Sequence, residues 1–259
     1  MKKKYTVITG ASSGIGFSSA ITFAENGKNI IIIARRKNKL EELKKIIKAK
    51  HNDIEVIIKT TDLSEISNAY SIYDELKKYH IETWINNAGI GNYNYVYKQD
   101  LSKIEKMINL NVKTLTVFSS LYTAQYKDIE GSTLINVSSA GGYTIVPTAI
   151  IYCACKFYVS SFTEGLYREI ESNNNKLRVK LLAPAATRTE FGKVANDVQV
   201  YDYDSTFSNY HTSEEMAKFL YELYQSDKCV GHVSRENFEF TLSNPIFPYA
   251  NNSKINQKL

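Results

Sequence analysis

Cysteine and proline are scarce in this 259-residue chain, and both shortages narrow the classes of protein that fit it. The three cysteines, Cys153, Cys155 and Cys229, are an odd number without the paired spacing of zinc sites. We therefore predict neither a disulfide framework nor a metal site, and a reducing compartment fits best. The chain has four prolines, too few for a proline-rich linker.

Long apolar runs are also missing. The longest aliphatic run, residues 30–34, is far shorter than the roughly 20 residues of a membrane-spanning helix. The apolar stretch behind the basic residues 2–4 ends at Gly10, which is too short for a signal peptide. We therefore expect a cytoplasmic protein without a membrane partner.

Charge of one sign is nowhere concentrated. The chain has 32 basic and 27 acidic residues, a net charge of +5, and no block of five or more like charges. Because nucleic-acid-binding tails concentrate their basic residues, we expect no nucleic-acid partner. Hydrophobic residues make up 43% and charged residues 23%, close to the average of soluble globular proteins, which excludes disorder and coiled coil.

Apolar stretches of strand length alternate with longer stretches of helical period along the chain, which predicts an α/β fold with a parallel sheet covered on both faces. Strands are predicted at residues 5–9, 29–34, 54–59, 83–86, 132–138, 178–183 and 238–242. Helices are predicted at residues 14–26, 37–50, 65–79, 101–125, 151–171 and 213–225. No domain boundary is visible, so we expect one domain over residues 1–250 and a polar tail at 251–259.

A glycine-rich segment, residues 9–16, follows the first predicted strand and opens the first helix. This is the context of a dinucleotide-binding fingerprint. Gly10 suits the tight turn, Gly14 the approach of a pyrophosphate, and Gly16 the close packing of helix on strand. The helix N-terminus then offers its free N–H groups to the phosphates. The loop also supplies Ser12, Ser13 and Ile15 as cofactor contacts. No Lys-Ser/Thr pair follows the glycines, which argues against a P-loop nucleotidase.

The second predicted strand ends in Arg35 and Arg36, where NAD-binding folds place an acidic residue for the ribose 2′-hydroxyl. Two guanidinium groups suit the 2′-phosphate of NADP instead. We therefore predict NADP(H) as the cofactor, preferred over NAD(H).

Tyr152 and Lys156 are four residues apart, which places both on one face of a helix. The spacing alone is weak, because it recurs at Tyr73/Lys77 and Tyr224/Lys228. Tyr152 differs from the other two because a predicted strand ends just upstream of it, at Ser139.

The co-spaced motifs resemble the short-chain dehydrogenase/reductase family of the shorter type. They are Thr-Gly-x-x-x-Gly-x-Gly at 9–16, Asn86-Asn87-Ala88-Gly89, Asn111, Ser139 and Tyr152-x-x-x-Lys156, in order over roughly residues 5–190. The extended relatives of that family differ in glycine spacing and fit less well.

The resemblance implies a single Rossmann domain with a doubly wound, seven-stranded parallel sheet and a catalytic tetrad of Asn111, Ser139, Tyr152 and Lys156. The residue types suit carbonyl reduction, because the developing alkoxide needs a positioned acid. Tyr152 is the expected acid or base, with its pKa lowered by Lys156 and by the oxidised cofactor. Ser139 would hold the substrate oxygen, Lys156 would also bind the nicotinamide ribose, and Asn111 would anchor a water.

The same resemblance implies further cofactor contacts. They are Asp62 and Leu63 at the adenine, Asn87, Ala88 and Gly89 along the groove, and Pro184, Thr187 and Thr189 near the nicotinamide, besides Tyr152 and Lys156.

Two positions depart from the family pattern. Ala185 replaces the usual glycine after Pro184, which would cost energy if that position needs an unusual backbone angle. Cys153 and Cys155 replace small residues, and either packing or a low-pKa redox role for Cys155 would explain them.

Tyrosine-rich, charge-poor segments follow several strands, at residues 90–97, 143–148 and 190–212. We expect these segments to surround a small apolar or aromatic carbonyl substrate, with 190–212 as a lid. The aromatic residues concerned are Tyr93, Tyr95, Tyr143, Tyr201, Tyr203, Phe207 and Tyr210. Packing at an interface explains them equally well.

Three functions remain open. The first is an NADPH-dependent carbonyl reductase of small molecules. The second is a 3-oxoacyl thioester reductase, which would need a basic patch near the cleft. The third is a non-catalytic NADP(H)-binding sensor or scaffold, which would have an incomplete tetrad. The resemblance also implies a homodimer or homotetramer, formed through the helices at 101–125 and 151–171.

Overall fold

The computed structural model describes residues 3–250, and the tail predicted at 251–259 lies outside them. Its centre is an eight-stranded sheet in the order β3-β2-β1-β4-β5-β6-β9-β10. The strands of this sheet are β1 Lys4–Thr9, β2 Asn29–Ala34, β3 Val56–Thr60, β4 His80–Asn86, β5 Thr133–Val137, β6 Arg178–Ala183, β9 Val230–Val233 and β10 Phe240–Ser243. Seven of them run parallel and β10 is antiparallel to β9. The seven-stranded parallel sheet is therefore confirmed, with one further strand at its edge.

Helices cover both faces of the sheet. They are α1 Gly14–Glu25, α2 Lys37–Lys50, α3 Ile66–Leu76, α4 Leu101–Ile108, α5 Leu115–Tyr126, α6 Ile150–Ser172, α7 Phe191–Ala195, α8 Tyr203–Thr206 and α9 Ser213–Gln225. Strand β2 shows why two layers are needed: Ile30 and Ile32 join the core cluster of α1, α2 and α9, while Ile31 and Ile33 join that of α3, α5 and α6. Successive side chains of a strand point to opposite faces, so an unbroken isoleucine run must be covered twice.

The order of the strands defines where a ligand can bind. The chain builds β1, β2 and β3 outward in one direction and then returns to place β4 beside β1. At such a switch point the connections leave in opposite directions, and a crevice opens at the carboxyl ends of the two strands. Here those ends are Thr9 and Asn86.

The last strands differ from the sequence prediction. The seventh parallel strand is Val230–Val233, which was missed, and the segment predicted at 238–242 forms the antiparallel edge strand Phe240–Ser243. The missed strand is only four residues long and contains Gly231 and His232. Such a short segment with a glycine carries little strand signal.

The segment at 190–212, for which the sequence predicted a lid but no helix or strand, contains α7, α8 and a short strand. That strand, β8 His211–Thr212, pairs with β7 Thr187–Arg188. Within residues 3–250, no helix is both long and apolar enough to cross a membrane.

A buried carboxylate holds the last described residues against α6. Glu164 is 2% exposed. One of its oxygens accepts a hydrogen bond from the Tyr143 hydroxyl, and the other accepts from the backbone N–H groups of Ile246 and Phe247, both at 2.7 Å. The Phe247 ring stacks on Tyr143 with the ring centroids 5.2 Å apart. The segment after β10 is thus fixed to α6 by one charged side chain.

We expect Glu164→Ala to lower the free energy of unfolding by about 2–4 kcal/mol, because two backbone donors and a buried hydroxyl lose their acceptor. Urea unfolding measures this change. Glu169→Ala, an exposed position on the same helix whose side chain makes no hydrogen bond within residues 3–250, is the control and should stay within about 0.5 kcal/mol. Equal stabilities of the two variants would contradict the role given to Glu164.

Candidate active site

A cleft of about 660 Å³ opens at the carboxyl ends of the strands and extends from the glycine-rich loop to Tyr152 and beyond. Its volume lies within the usual range for ligand sites. It contains nearly all the residues that the sequence analysis selected. Those that line it are Gly10, Ser12, Ser13, Gly14, Ile15, Arg35, Arg36, Asp62, Leu63, Asn87, Ala88, Gly89, Ser139, Tyr152, Lys156, Pro184, Thr187 and Thr189. Gly16 and Asn111 do not line the cleft, and both lie directly behind its wall.

The glycine-rich loop is held against β4 by a network around Thr9. The Thr9 hydroxyl accepts hydrogen bonds from the backbone N–H groups of Asn87 and Ala88, both at 3.0 Å. The Asn87 side-chain amide donates to the Thr9 carbonyl at 2.9 Å. A Cβ on Gly16 would lie 2.4 Å from that amide nitrogen and 2.7 Å from the Gly10 carbonyl oxygen. Position 16 therefore has no room for a side chain, as expected for the close packing of helix on strand.

Gly14 has φ +55°, and a Cβ there would lie 2.8 Å from Thr189 Cγ2. The loop that follows β6 therefore lies directly over the start of α1, where backbone N–H groups are free to bind an anion. The glycine-rich loop and Thr189 therefore form two opposite walls of one narrow channel.

The two arginines at the end of β2 have different surroundings. Arg36 donates to the Ser12 hydroxyl, with Nε at 3.2 Å and Nη2 at 3.1 Å, and its Nη2 lies 2.7 Å from Glu190 Oε2. Arg35 is 66% exposed in its side chain, and its Nη1 is 3.8 Å from Asp62 Oδ2. Burial works against ionisation of Asp62, but hydrogen bonds from Ser64 and the charge of Arg35 hold its pKa below the usual value. Both guanidinium groups lie at the same end of the cleft.

Ser139, Tyr152 and Lys156 meet at the other end. Ser139 follows β5 directly, and its hydroxyl accepts from the Gly141 N–H at 3.0 Å. Tyr152 and Lys156 lie one turn apart on α6, and Lys156 Nζ is 5.8 Å from the centroid of the Tyr152 ring. The ammonium donates to the Val137 carbonyl at 2.9 Å. Residues that follow β5 and residues of α6 thus form one cluster. The Tyr-Lys spacing therefore indicates a site only where a neighbouring strand ends beside the helix and supplies a residue such as Ser139.

Asn111 lies in one turn of π-helix, Asn109–Thr114, between α4 and α5, in the region predicted as a single helix. Such turns occur frequently at functional sites. Its side chain donates to the Ile90 carbonyl at 2.8 Å and accepts from the Ile90 N–H at 3.0 Å. A Cβ on Gly89 would lie 3.2 Å from Asn111 Oδ1 and 3.6 Å from Lys156 Nζ. Asn111 thus orders the backbone beside Lys156, and its expected role as a water anchor stays a prediction.

Burial controls the ionisation of the two central groups. It raises the pKa of Tyr152 well above the usual value of 10, and a hydrogen bond with Ser139 offsets only part of the shift. It lowers the pKa of Lys156 from 10.5 to about 8. The protein environment by itself therefore raises the pKa of Tyr152, because desolvation dominates; the expected lowering, which also involves the oxidised cofactor, stays a prediction. At pH 7 the phenol is protonated and the ammonium is charged.

The two departures from the family pattern have simple explanations. Ala185 is not among the residues with positive φ, so its position does not require a glycine. Cys153 and Cys155 are 1% and 4% exposed, and burial raises the pKa of the Cys155 thiol. A thiolate redox role for Cys155 is therefore not supported, and both cysteines act as packing residues. Among residues 3–250 no cluster of His, Cys, Asp or Glu is arranged to hold a metal ion.

Four of the seven aromatic residues expected around a substrate do line the cleft: Tyr93, Tyr201, Tyr203 and Phe207. The other three lie elsewhere in the structure. Tyr95 is 55% exposed, Tyr143 packs on Phe247, and the Tyr210 ring contacts Arg188.

The cleft has further residues that sequence reasoning did not single out. The Phe191 ring packs on Tyr152 with centroids 5.3 Å apart, and Arg235 and Phe238 line the wall beside Phe207. Arg235 and Phe238 lie between β9 and β10. Because β9 was not predicted from the sequence, their position at the carboxyl edge of the sheet could not be predicted either.

The family model described as short chain dehydrogenase matches residues 4–199. A 7beta-hydroxysteroid dehydrogenase from Clostridium sardiniense is 31% identical over 72% of this chain and 70% of that protein. An uncharacterized oxidoreductase from Staphylococcus saprophyticus is 29% identical over 85% of this chain and 89% of that protein. The chain belongs to the short-chain dehydrogenase/reductase family. It is an oxidoreductase of the kind that acts on hydroxyl and carbonyl groups.

Solved structures agree with this assignment. A short-chain dehydrogenase from Sphingobium yanoikuyae in complex with NADPH superposes with a TM-score of 0.79 at 26% identity, over 88% of this chain and 86% of that one. A bulky-bulky ketone specific alcohol dehydrogenase from Comamonas testosteroni gives a TM-score of 0.76 at 24% identity, over 88% and 84% of the two chains. The second likeness shows the shared fold.

We expect Gly16→Ala to lower the free energy of unfolding by about 1–3 kcal/mol, because the added methyl group meets Asn87 and the Gly10 backbone at distances that force a shift. Urea unfolding measures the effect. Gly165→Ala is the matched control, since nothing lies within 4 Å of its added Cβ and alanine favours a helix interior. It should be neutral or stabilising, and a Gly16 variant as stable as the control would refute the contact.

Proposed function

We propose that the protein is an NADPH-dependent reductase that converts a carbonyl group of a small apolar or aromatic compound to an alcohol, or catalyses the reverse reaction. One observation carries this proposal: the glycine-rich loop, the two arginines and the Ser139–Tyr152–Lys156 cluster line a single cleft. The proposed cofactor site and the proposed acid are therefore close enough for one reaction.

The residues of the cleft fit NADP(H). The start of α1 is open toward the channel beside Gly14, which suits a pyrophosphate. Arg35 and Arg36 follow β2, where they can pair with a 2′-phosphate through charge-assisted hydrogen bonds. Asp62 and Leu63 line the neighbouring wall and would hold the adenine, and Thr187 and Thr189 would lie at the nicotinamide. When bound, NADPH supplies the hydride for the carbonyl carbon.

The side chains of the cluster have complementary tasks. Tyr152 donates its proton to the substrate oxygen as charge develops there, and its raised pKa keeps that proton available at neutral pH. Lys156 is charged below pH 8 and stabilises the phenolate that remains. Ser139, which lines the same cleft as Tyr152, orients the substrate oxygen toward the phenol. Asn111 positions the backbone next to Lys156.

The substrate end of the cleft favours an apolar or aromatic compound. Its walls are Tyr93, Phe191, Tyr201, Tyr203 and Phe207, which are all aromatic and uncharged. Residues 190–212 supply four of these walls, which supports their role as a lid over the substrate. The homodimer or homotetramer and the cytoplasmic location implied by the sequence stay predictions.

The alternative functions have less support. A thioester reductase would need a basic patch near the cleft, but the basic residues that line it are Arg35, Arg36, Lys156 and Arg235. The first two lie at the cofactor end and Lys156 is buried, which leaves Arg235 alone at the substrate end. A non-catalytic sensor would have an incomplete tetrad, whereas all four residues are present and clustered.

We expect NADPH to bind at least tenfold more tightly than NADH, and Arg35→Ala to reduce that ratio, because the mutation removes the more exposed partner of the 2′-phosphate. Parallel fluorescence titrations of both variants with both cofactors measure this. Lys37→Ala, on the next exposed residue, is the control and should change the ratio little. Equal or NADH-favoured binding by the wild-type protein would refute the cofactor preference.

We expect Tyr152→Phe to lower kcat/KM for ketone reduction by at least about 100-fold, because the proton donor is lost while the ring stays packed on Phe191. NADPH affinity should change little. Tyr224→Phe is the matched control, since Tyr224 shares the four-residue spacing to a lysine but packs on Phe23 outside the cleft. Activity retained in the Tyr152 variant would mean that another group supplies the proton.

A further inference from the structure

Glu190 places a carboxylate at the cofactor end of the cleft. Its Oε2 lies 2.7 Å from Arg36 Nη2. The hydrogen bond from Arg36, with a second from Ser13, holds the pKa of Glu190 below its usual value, so the carboxylate is ionised at neutral pH. The Glu190 side chain is therefore paired with Arg36, the proposed 2′-phosphate ligand.

The position of Glu190 in the chain makes this contact specific to the cleft. Thr189, the preceding residue, lies over Gly14, and Phe191, the following residue, packs on Tyr152. Both neighbours of Glu190 therefore contact the cleft, and from this position the half-exposed Glu190 side chain reaches Arg36. Sequence reasoning could not find the contact, because Glu190 and Arg36 are far apart in the chain.

A 2′-phosphate on Arg36 would compete with this carboxylate. The Arg36 donors Nε and Nη2 already bond Ser12, and Nη2 is shared with Glu190. A phosphate that uses the guanidinium fork must take over the donor that Glu190 holds. It would also bring negative charge next to an ionised carboxylate, and the two like charges would repel, although exposure of the site to water weakens the repulsion. NADH has no phosphate at this place and leaves the Arg36–Glu190 pair intact.

We propose that Glu190 is a specificity-determining residue that competes with the 2′-phosphate of NADP(H) for Arg36 and so limits the preference for NADP(H) over NAD(H). This inference rests on the proposed function, since it assumes that Arg36 is a phosphate ligand. The carboxylate acts as an internal anion at the site of the 2′-phosphate. It therefore weakens the binding of NADP(H) and leaves the binding of NAD(H) unchanged.

The test is the affinity of Glu190→Gln for each cofactor, measured by titration of the cofactor fluorescence without any substrate. The amide keeps the shape and removes the charge. We expect NADPH to bind about three- to tenfold more tightly to the variant than to the wild-type protein, because an exposed ion pair and a repulsion of moderate size are removed. The affinity for NADH should stay within about twofold.

Two further variants make the outcome specific. Asp197→Asn removes another ion pair of the same segment, Asp197 with Lys103 at 2.8 Å, and should leave both affinities unchanged. In an Arg36→Ala background, Glu190→Gln should gain less for NADPH than it does alone, because the competition for Arg36 is absent. Such non-additivity distinguishes direct competition between Glu190 and the 2′-phosphate for Arg36 from a general effect of the Glu190 charge.

An unchanged NADPH affinity in Glu190→Gln would overturn the proposal, and so would an equal change for NADPH and NADH accompanied by a lower melting temperature. The first result would mean that the phosphate does not meet Glu190, and the second that Glu190 is structural. A failure of the proposed function is distinguishable, because NADPH and NADH would then bind equally to the wild-type protein and to Glu190→Gln alike.

Discussion

The close approach of the glycine-rich loop to β4 is the contact on which the rest of the site depends. Strands β1 and β4 are neighbours at the switch point, and the Thr9–Asn87 network fixes their carboxyl ends together. Because Gly16 lies against the Asn87 amide, α1 starts directly above this junction. The free N–H groups of α1 therefore point into the crevice instead of over the sheet edge. If the two ends were further apart, the cofactor loop and the residues after β4 could not share one cleft.

The chemistry at the other end depends on burial. Tyr152 and Lys156 are 7% and 5% exposed, and desolvation moves their pKa values in opposite directions. A charged lysine and a protonated phenol at neutral pH are what a carbonyl reduction needs before the substrate oxygen gains charge. The raised pKa keeps Tyr152 protonated at rest, and in the proposed reaction its proton would leave only as that charge develops. The buried hydrogen bond from Lys156 to Val137 gives the ammonium a fixed position without neutralising it.

Local patterns explain most of what could be predicted from the sequence. The isoleucine run of β2, the glycine-rich loop and the Tyr152–Lys156 spacing are each encoded within a few residues, and each lies where expected. The features that were missed depend on distant partners. Strand β9 is too short to carry a pattern of its own and forms because β6 offers it a free edge. Tyr143 was expected at the substrate but turns away, because its hydroxyl donates a hydrogen bond to the buried Glu164. Neither partner is visible from the local sequence.

The charges around the two arginines show the same dependence on distant residues. Each guanidinium has a carboxylate neighbour, Asp62 for Arg35 and Glu190 for Arg36, although the sequence at the end of β2 contains no acid. Exposed pairs of this kind contribute at most about 1 kcal/mol, whereas a phosphate held by two guanidiniums gains several charge-assisted hydrogen bonds. The carboxylates can therefore orient the arginines and still yield to a phosphate. If the proposals above hold, cofactor preference in this protein follows from a difference between two anions, one carried by the protein and one by the ligand, and not from the presence of arginine alone.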